Sequence, residues 1–472
     1  MSSPRSRRPC VTLGDSPRAQ RKSGSIGLTG VAVFSLPVLL FQAVELAWRS
    51  YLPAFLTQTV GMTLALVGAL MLGVRVLDAL ADVVLGWASD MFPTRFGRRA
   101  PWMVVGAVLV PLGALLLFLS PPGAGLGRVI GASLLLHMGY SFIVTPHGGW
   151  GLELSDDKGE RTRIMGGKVW FGVIGAIGML ALIGLLEGRF GFDIRALAMV
   201  LGIVIAAAAP VTVLAVVAMF REPGPTGAAQ SGGSPITQAR DMMRDPDLRR
   251  ILLLYLLCGT ADAATAGTFL FLTGPVLGLT GQAALFMLIQ PVMTLFMLPI
   301  WAKVADRIGR RRVLGLGFGW QALVMPLALT VPSGSAVLFG LFLALRGLTC
   351  GVDYMLLRAM VADVAQRGGE RRAELGAKLE AGQGPRSSAS YYALSSVTLK
   401  LALGLGGGLG LWLVGAAGFH AGGRPDAAAG LAVRLAFVLP SVAAGLGGLF
   451  LLGSARFSPA RSLLRRGAPA AS

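Results

Sequence analysis

The chain has 472 residues, of which 54% are hydrophobic and 14% charged, and it carries a formal net charge of +19. A soluble protein carries about 25% charged residues, so this balance excludes an ordinary soluble domain and leaves a polytopic membrane protein. The excess base lies in short loops between apolar segments, which is the signature of loops held on one side of a membrane rather than of a nucleic-acid surface.

In chain order, residues 1–25 are rich in Ser, Arg and Pro and read as a disordered cytoplasmic tail without the features of a cleavable signal peptide. About twelve apolar segments come next, near 26–56, 61–89, 101–120, 127–152, 166–187, 195–220, 248–274, 281–303, 313–331, 335–362, 389–418 and 429–453. Each is close to the ~20 residues that a helix needs to span a bilayer. A Gly/Pro/Ser-rich and then charged stretch, 221–247, has no apolar run and reads as a cytoplasmic linker between two six-helix halves, 26–220 and 248–455. Residues 456–472 form a second tail. Cys10 lies in the first tail, and Cys258 and Cys350 lie in apolar runs. Their spacing makes neither a metal site nor a disulfide framework.

The loops alternate in charge. One side of the membrane receives Arg5, Arg7 and Arg8, then Arg95, Arg98 and Arg99, then Lys158, Arg161 and Arg163, the linker, and Arg307 with Arg310 to Arg312. Arg367, Arg371, Arg372, Arg461, Arg465 and Arg466 continue the series. The opposite side has only Arg128, Arg189, Arg195, Arg424 and Arg434. Both termini are therefore expected in the cytoplasm. The halves also echo each other. Asp90 with Gly97-Arg98-Arg99 after the second segment matches Asp306-Arg307 with Gly309-Arg310-Arg311 after the eighth. Glu153, six residues, Glu160-Arg161 after the fourth matches Asp363, six residues, Glu370-Arg371 after the tenth. Two signatures in register argue for a duplicated half, the parallel-repeat plan of a transporter with its site near the midplane.

The second segment carries the most telling residues. Asp78 and Asp82 stand four apart in an apolar run, so a helix stacks both carboxylates on one face. Charges at membrane depth cost at least ~2.5 kcal/mol each and are kept where a partner, a cation or water meets them. Two carboxylates one turn apart can converge on one cation. An internal ion pair of Asp78 with Arg75 is the plainer alternative.

Arg75, Asp78, Ala79 and Asp82, with Gly86, Ser89, Asp90, Gly97, Arg98, Arg99 and Pro101 after them, resemble the motif of the glycoside–pentoside–hexuronide:cation symporters. This is the melibiose-permease group of the major facilitator superfamily. Pro146, Glu153-Leu154-Ser155, Glu160-Arg161-Thr162, Ala362-Asp363-Val364 and Lys400 extend the resemblance over nearly the whole chain. It implies an all-α polytopic major facilitator fold of about twelve helices in two pseudo-symmetric halves, acting as a monomer in the cell membrane, a bacterial inner membrane. It implies Na+ or H+ coupling at Asp78 and Asp82, with Ser141 and Lys400 beside them, and no cofactor. Lys168 matches a basic residue placed after the Glu-Arg-Thr motif. Two departures stand out. Val83 replaces a proline common after the second acid, and Gln42 and Val144 occupy the places of the two acids that hold sugar hydroxyls in melibiose-type members.

Further substrate candidates are Glu45 and Arg49, four apart beside Trp48, together with Trp150, Lys168 and Arg346. Asp262, His147 and Asp353 are weaker ones, with buried hydrogen-bonded spectators as the alternative. Arg49, Lys168, Arg346 and Lys400 supply positive charge at or near membrane depth, which tilts the expected cargo from a neutral glycoside toward an anionic hexuronide or glucuronide. A lysolipid carrier and a transport-dead sensor on the same fold are the other readings. Asp90, Arg98, Arg99, Glu153, Arg161, Asp306, Arg310, Asp363 and Arg371 are expected to form a cytoplasmic gate whose salt bridges break on opening. The Gly404–Gly410 run suits close helix packing. No catalytic or nucleic-acid constellation is present, so the expected partners are a small molecule and membrane lipids.

Overall fold

In bilayer hydrocarbon no water satisfies the backbone, so apolar segments of this length become helices. The computed structural model describes residues 26–91, 97–155, 158–220, 222, 235–376, 388–419 and 425–454, with some side chains near helix ends left out. Twelve helices are long and apolar enough to cross a membrane. They are α1 (Leu28–Val60), α2 (Leu64–Leu85), α3 (Ala100–Phe118), α4 (Leu126–Gly151), α5 (Arg163–Phe190) and α6 (Ile194–Met219) in the first half. The second half has α7 (Pro246–Val276), α8 (Ala283–Ile308), α9 (Arg310–Leu329), α10 (Ala336–Arg367), α11 (Ala393–Ala416) and α12 (Ala427–Gly453). A short helix, Pro235–Met242, precedes α7. The tails and residues 223–234 lie outside the described residues.

Local deviations from ideal helix matter most where they re-aim polar side chains. In α1, Ala47–Tyr51 and Leu56–Val60 are π-helical. A π turn inserts a residue and rotates the next part of the helix about its axis, and such turns gather at functional sites. The α1 helix runs past Leu56 through Thr57, Gln58 and Thr59 to end at Gly61, whose φ of 87° is the left-handed conformation open to glycine. The equivalent helix α7 ends in the same way, with π-helical Leu272–Val276 and then Gly278 at φ 68°. In α10 the α-helical backbone breaks between Gly347 and Val352, with Gly351 at φ 79°. Carbonyls near the break find indole donors in its neighbours: Trp301 Nε1 donates to the Leu348 oxygen at 2.7 Å and Trp320 Nε1 to that of Leu345 at 2.8 Å.

The halves meet along α2 with α11 and α5 with α8. Glycine makes the first seam possible. A Cβ on Gly68 would lie 2.6 Å from the Gly408 carbonyl oxygen, and one on Gly404 2.7 Å from the Arg75 Cβ. On the other face of α11, a Cβ on Gly406 would lie 2.0 Å from the Thr260 oxygen of α7. The glycine run thus lets α11 pack backbone to backbone between its neighbours.

The two ends of the molecule differ. We call the end where α1 begins and α12 finishes the terminal end. At the far end one apolar cluster joins both halves, from Phe55 and Phe118 to Phe271, Phe339 and Phe437. At the terminal end the second half has a core of its own, around Leu248, Tyr255, Val313 and Leu356. Helix α8 starts without a side-chain cap of its own. Instead Glu187 of α5, in the other half, accepts the Ala284 N–H at 3.2 Å. A carboxylate at a helix N-terminus satisfies orphan donors and the helix dipole together.

This cap latches the far end. A cap of this kind contributes about 0.5–2 kcal/mol, or roughly a 2- to 30-fold shift in a closed–open equilibrium. In a background lacking Cys10, Cys258 and Cys350, a cysteine placed at Gly184, which faces Leu285 of α8, reports on closure. Glu187→Ala should raise its thiol-labelling rate by that factor, and an unchanged rate would remove Glu187 from the closure.

Candidate functional site

The four-residue spacing of Asp78 and Asp82 on α2 is met by the same spacing on α4, where His137, Ser141 and Thr145 form one stripe. Ser141 Oγ donates to Asp78 Oδ1 at 2.5 Å, and Thr145 Oγ1 donates to Asp82 Oδ1 at 2.8 Å. From the other half, Lys400 of α11 places Nζ 2.6 Å from Asp82 Oδ2 and 3.0 Å from Asp78 Oδ2. The structure therefore brings together Asp78, Asp82, Ser141 and Lys400, the four residues that the resemblance names for a cation.

Arg75 extends the cluster. Its Nη1 lies 3.4 Å from Asp78 Oδ2, one turn away on the same helix, and its Nη2 lies 2.7 Å from Glu45 Oε2 on α1. The guanidinium also sits 5.9 Å over the Trp48 ring, and the His137 imidazole stands edge-on to Trp48 at 4.1 Å. His137 Nδ1 is 3.7 Å from Asp78 Oδ2. The Asp78 side chain is fully enclosed, whereas Asp82 and Lys400 keep 15% and 12% exposure. Glu45 keeps 26% exposure, so the cluster is open at its Glu45 and Asp82 ends and closed around Asp78. Two carboxylates and two hydroxyls suit a hard monovalent cation, and a carboxylate equally takes a proton. The Lys400 ammonium occupies the same oxygens.

Sequence reasoning missed two members of this cluster and one pairing within it. Thr145 and His137 were detectable as one-turn neighbours of Ser141. The Arg75–Glu45 pair was hidden, because Glu45 and Arg49 look like partners on an ideal helix. The π turn over Ala47–Tyr51 separates them: Glu45 goes to Arg75, while Arg49 makes no ion pair among the described residues. The backbone of Arg49 faces Gly267 of α7.

The other expected substrate residues lie apart from this cluster. Gln42 faces α5, with its amide nitrogen 3.4 Å from where a Cβ on Gly172 would stand. Val144 packs against the apolar core. Trp150 is 1% exposed and stands edge-on to Phe34 at 6.3 Å, so the indole lies inside the core. The Lys168 ammonium is 5.9 Å from the same Phe34 ring, and His147 Nε2 lies 2.8 Å from the Phe34 carbonyl oxygen. In the second half, Tyr354 donates its hydroxyl to Asp262 Oδ2 at 2.7 Å, Arg346 Nη2 lies 3.9 Å from Asp262 Oδ1, and Asp353 accepts the Tyr354 N–H at 2.9 Å.

Of the expected gate residues, Arg310 and Asp363 pair with each other inside the second half, at 2.6 Å. Arg367 pairs with Asp247 at 3.1 Å. Glu222 accepts the backbone N–H groups of Arg98, Arg99 and Ala100 at the start of α3. Asp306 is exposed. The side chains of Asp90, Glu153, Arg161 and Arg371 lie outside the described residues. Among the described residues no ion pair crosses between the halves at this end.

Comparison with known proteins leads in the same direction. Residues 33–456 match the family described as MFS/sugar transport protein. The inner membrane symporter YicJ of Escherichia coli (strain K12) is 22% identical over 401 residues, which is 83% of this chain and 84% of that one. The glucuronide carrier protein homolog of the same organism is 24% identical over 413 residues, 82% of this chain and 84% of that one. The putative glycoside/cation symporter YagG, also from Escherichia coli (strain K12), is 30% identical over 134 residues, 28% of each chain. Among solved structures, the nucleoside transporter NupG shares the fold with a TM-score of 0.62 at 16% identity, over 89% of this chain and 98% of that one.

Lys400 is the one counter-charge that the second half supplies to Asp78 and Asp82 among the described residues. Removing one partner of a buried pair costs about 3–5 kcal/mol. Lys400→Ala should lower the melting temperature in detergent, and added Na+ or a lower pH should restore part of the loss by neutralising the freed carboxylates. A melting temperature equal to that of the wild type would show that this charge does not hold the halves.

Proposed function

We infer that this chain, which belongs to the MFS/sugar transport protein family, the glycoside–pentoside–hexuronide:cation symporters of the major facilitator superfamily, carries its sugar together with one monovalent cation, Na+ or H+. At family level it is a sugar/cation symporter and not an enzyme. The observation that carries the finer reading is the charge of the central cluster. Three carboxylates, Glu45, Asp78 and Asp82, meet two bases, Arg75 and Lys400. With all five ionised the cluster holds one net negative charge, and one monovalent cation neutralises it.

The mechanism rests on competition. An arriving cation takes the oxygens that Lys400 holds. Lys400 belongs to the other half, so its release frees that half to re-dock. Substrate and cation each favour the same docked state, and each therefore raises the other's affinity. Halves that rock about the α2–α11 and α5–α8 seams then expose the site alternately.

Loop charge supports a cytoplasmic terminal end. The apolar cluster and the Glu187 cap that join the halves at the far end then lie on the side away from the cytoplasm. Arg49 and Lys168 have no carboxylate partner among the described residues, and the glucuronide carrier homolog is a relative over most of the chain. Both favour an anionic sugar, a hexuronide or glucuronide.

The test is uptake of labelled p-nitrophenyl glucuronide and p-nitrophenyl glucoside into vesicles holding the purified protein, under an imposed Na+ or pH gradient. Asp82→Asn and Asp78→Asn should reduce accumulation to the level of empty vesicles while the protein stays inserted. Accumulation equal to that of the wild type in either variant would overturn the cation assignment.

A further inference from the structure

The second half carries a polar group that the cation cluster does not use. Asp262 lies near the middle of α7 and has 31% of its side chain exposed. A carboxylate at that depth is not left facing lipid but faces the bundle interior or a water-filled cavity. Its neighbours complete a defined geometry. The Tyr354 hydroxyl occupies Oδ2 at 2.7 Å. Arg346 stands 3.9 Å from Oδ1, too far for a hydrogen bond, with 14% of its side chain exposed. An open acceptor and an open donor thus face each other across a gap. The carboxylate repels an anion and the guanidinium repels a cation. A hydroxyl, which is donor and acceptor at once, satisfies both.

The placement within the duplicated fold points the same way. Asp262 lies sixteen residues before the left-handed Gly278 that ends α7, as Glu45 lies sixteen before the left-handed Gly61 that ends α1. Tyr354 lies nine residues before Asp363, as Val144 lies nine before Glu153. The two acids are therefore pseudo-symmetric counterparts with different partners. Glu45 is tied to Arg75, whereas Asp262 keeps an oxygen free of any hydrogen bond among the described residues.

We propose that Asp262, Arg346 and Tyr354 form a hydroxyl-binding subsite in the second half, which takes a hydroxyl of the sugar ring. The subsite rests on the sugar-symport reading. It assigns the ring hydroxyls to the second half and leaves the cation to the first.

The test is titration of the purified full-length protein with p-nitrophenyl glucoside, p-nitrophenyl glucuronide and monodeoxy derivatives of each, for wild type, Asp262→Asn and Tyr354→Phe. Tyr354→Phe keeps the ring and so guards against misfolding. In the wild type, loss of one particular hydroxyl should weaken binding about tenfold or more. Each variant should bind the parent sugar about tenfold more weakly and no longer distinguish that deoxy derivative, while its Na+- or pH-dependent thermal shift stays as in the wild type. Parent affinity unchanged in the variants, or deoxy discrimination unchanged, would overturn the subsite and leave the symport reading standing. A wild type that binds none of these glycosides would overturn both.

Discussion

A lysine from one half of the molecule, pressed against two carboxylates of the other, is the contact on which the remaining architecture depends. Ion pairs in low dielectric must recover a desolvation penalty of several kcal/mol per charge, and they do so only with tight geometry and satisfied neighbours. Both conditions are met here. Ser141 and Thr145 complete the carboxylates, and Arg75 is neutralised by Glu45. The glycines of α11 are part of the same requirement. With a side chain at Gly404 or Gly408 the helix could not come close enough to α2 for Lys400 to reach Asp78 and Asp82. The small-residue seam and the charged cluster are therefore one device: the seam sets the distance, and the cluster supplies the reason to close it.

This arrangement makes the interface between halves weak in a controlled way. At the far end, apolar packing and the Glu187 cap hold α5 to α8. At the terminal end each half is tied within itself, by Arg310–Asp363 in one and by Glu222 at the start of α3 in the other. The halves also touch where the π turn of α1 meets α7, and bodies braced internally in this way suit rigid-body rotation.

Much of this was legible in the sequence, for reasons that differ by residue. The twelve spans are set by length and hydropathy, and a bilayer leaves such segments no alternative to helix. Asp78, Asp82, Ser141 and Lys400 stand out because a polar group in an apolar run has few explanations. The limits lie where the backbone departs from the ideal. The i,i+4 rule paired Glu45 with Arg49, and a π turn undid the pairing. Arg346 and Asp353 read as two turns of one helix, but the break before Val352 intervenes, and two indoles from neighbouring helices serve carbonyls beside it. Trp150 reads as an aromatic near a site, yet its ring is enclosed by the packing of Phe34, a neighbour remote in sequence.

The odd charge of the central cluster has an electrical consequence. With all five groups ionised, three carboxylates against two bases sum to one negative charge among these side chains, which one bound monovalent cation would cancel. The loaded rearrangement with a neutral sugar then moves no net charge in this cluster through the membrane field. The empty return does, at about 2.3 kcal/mol for each charge crossing 100 mV. On the symport reading, an interior-negative voltage would push that unloaded cluster back toward the outside, and with an anionic sugar on board the loaded step would feel the voltage as well.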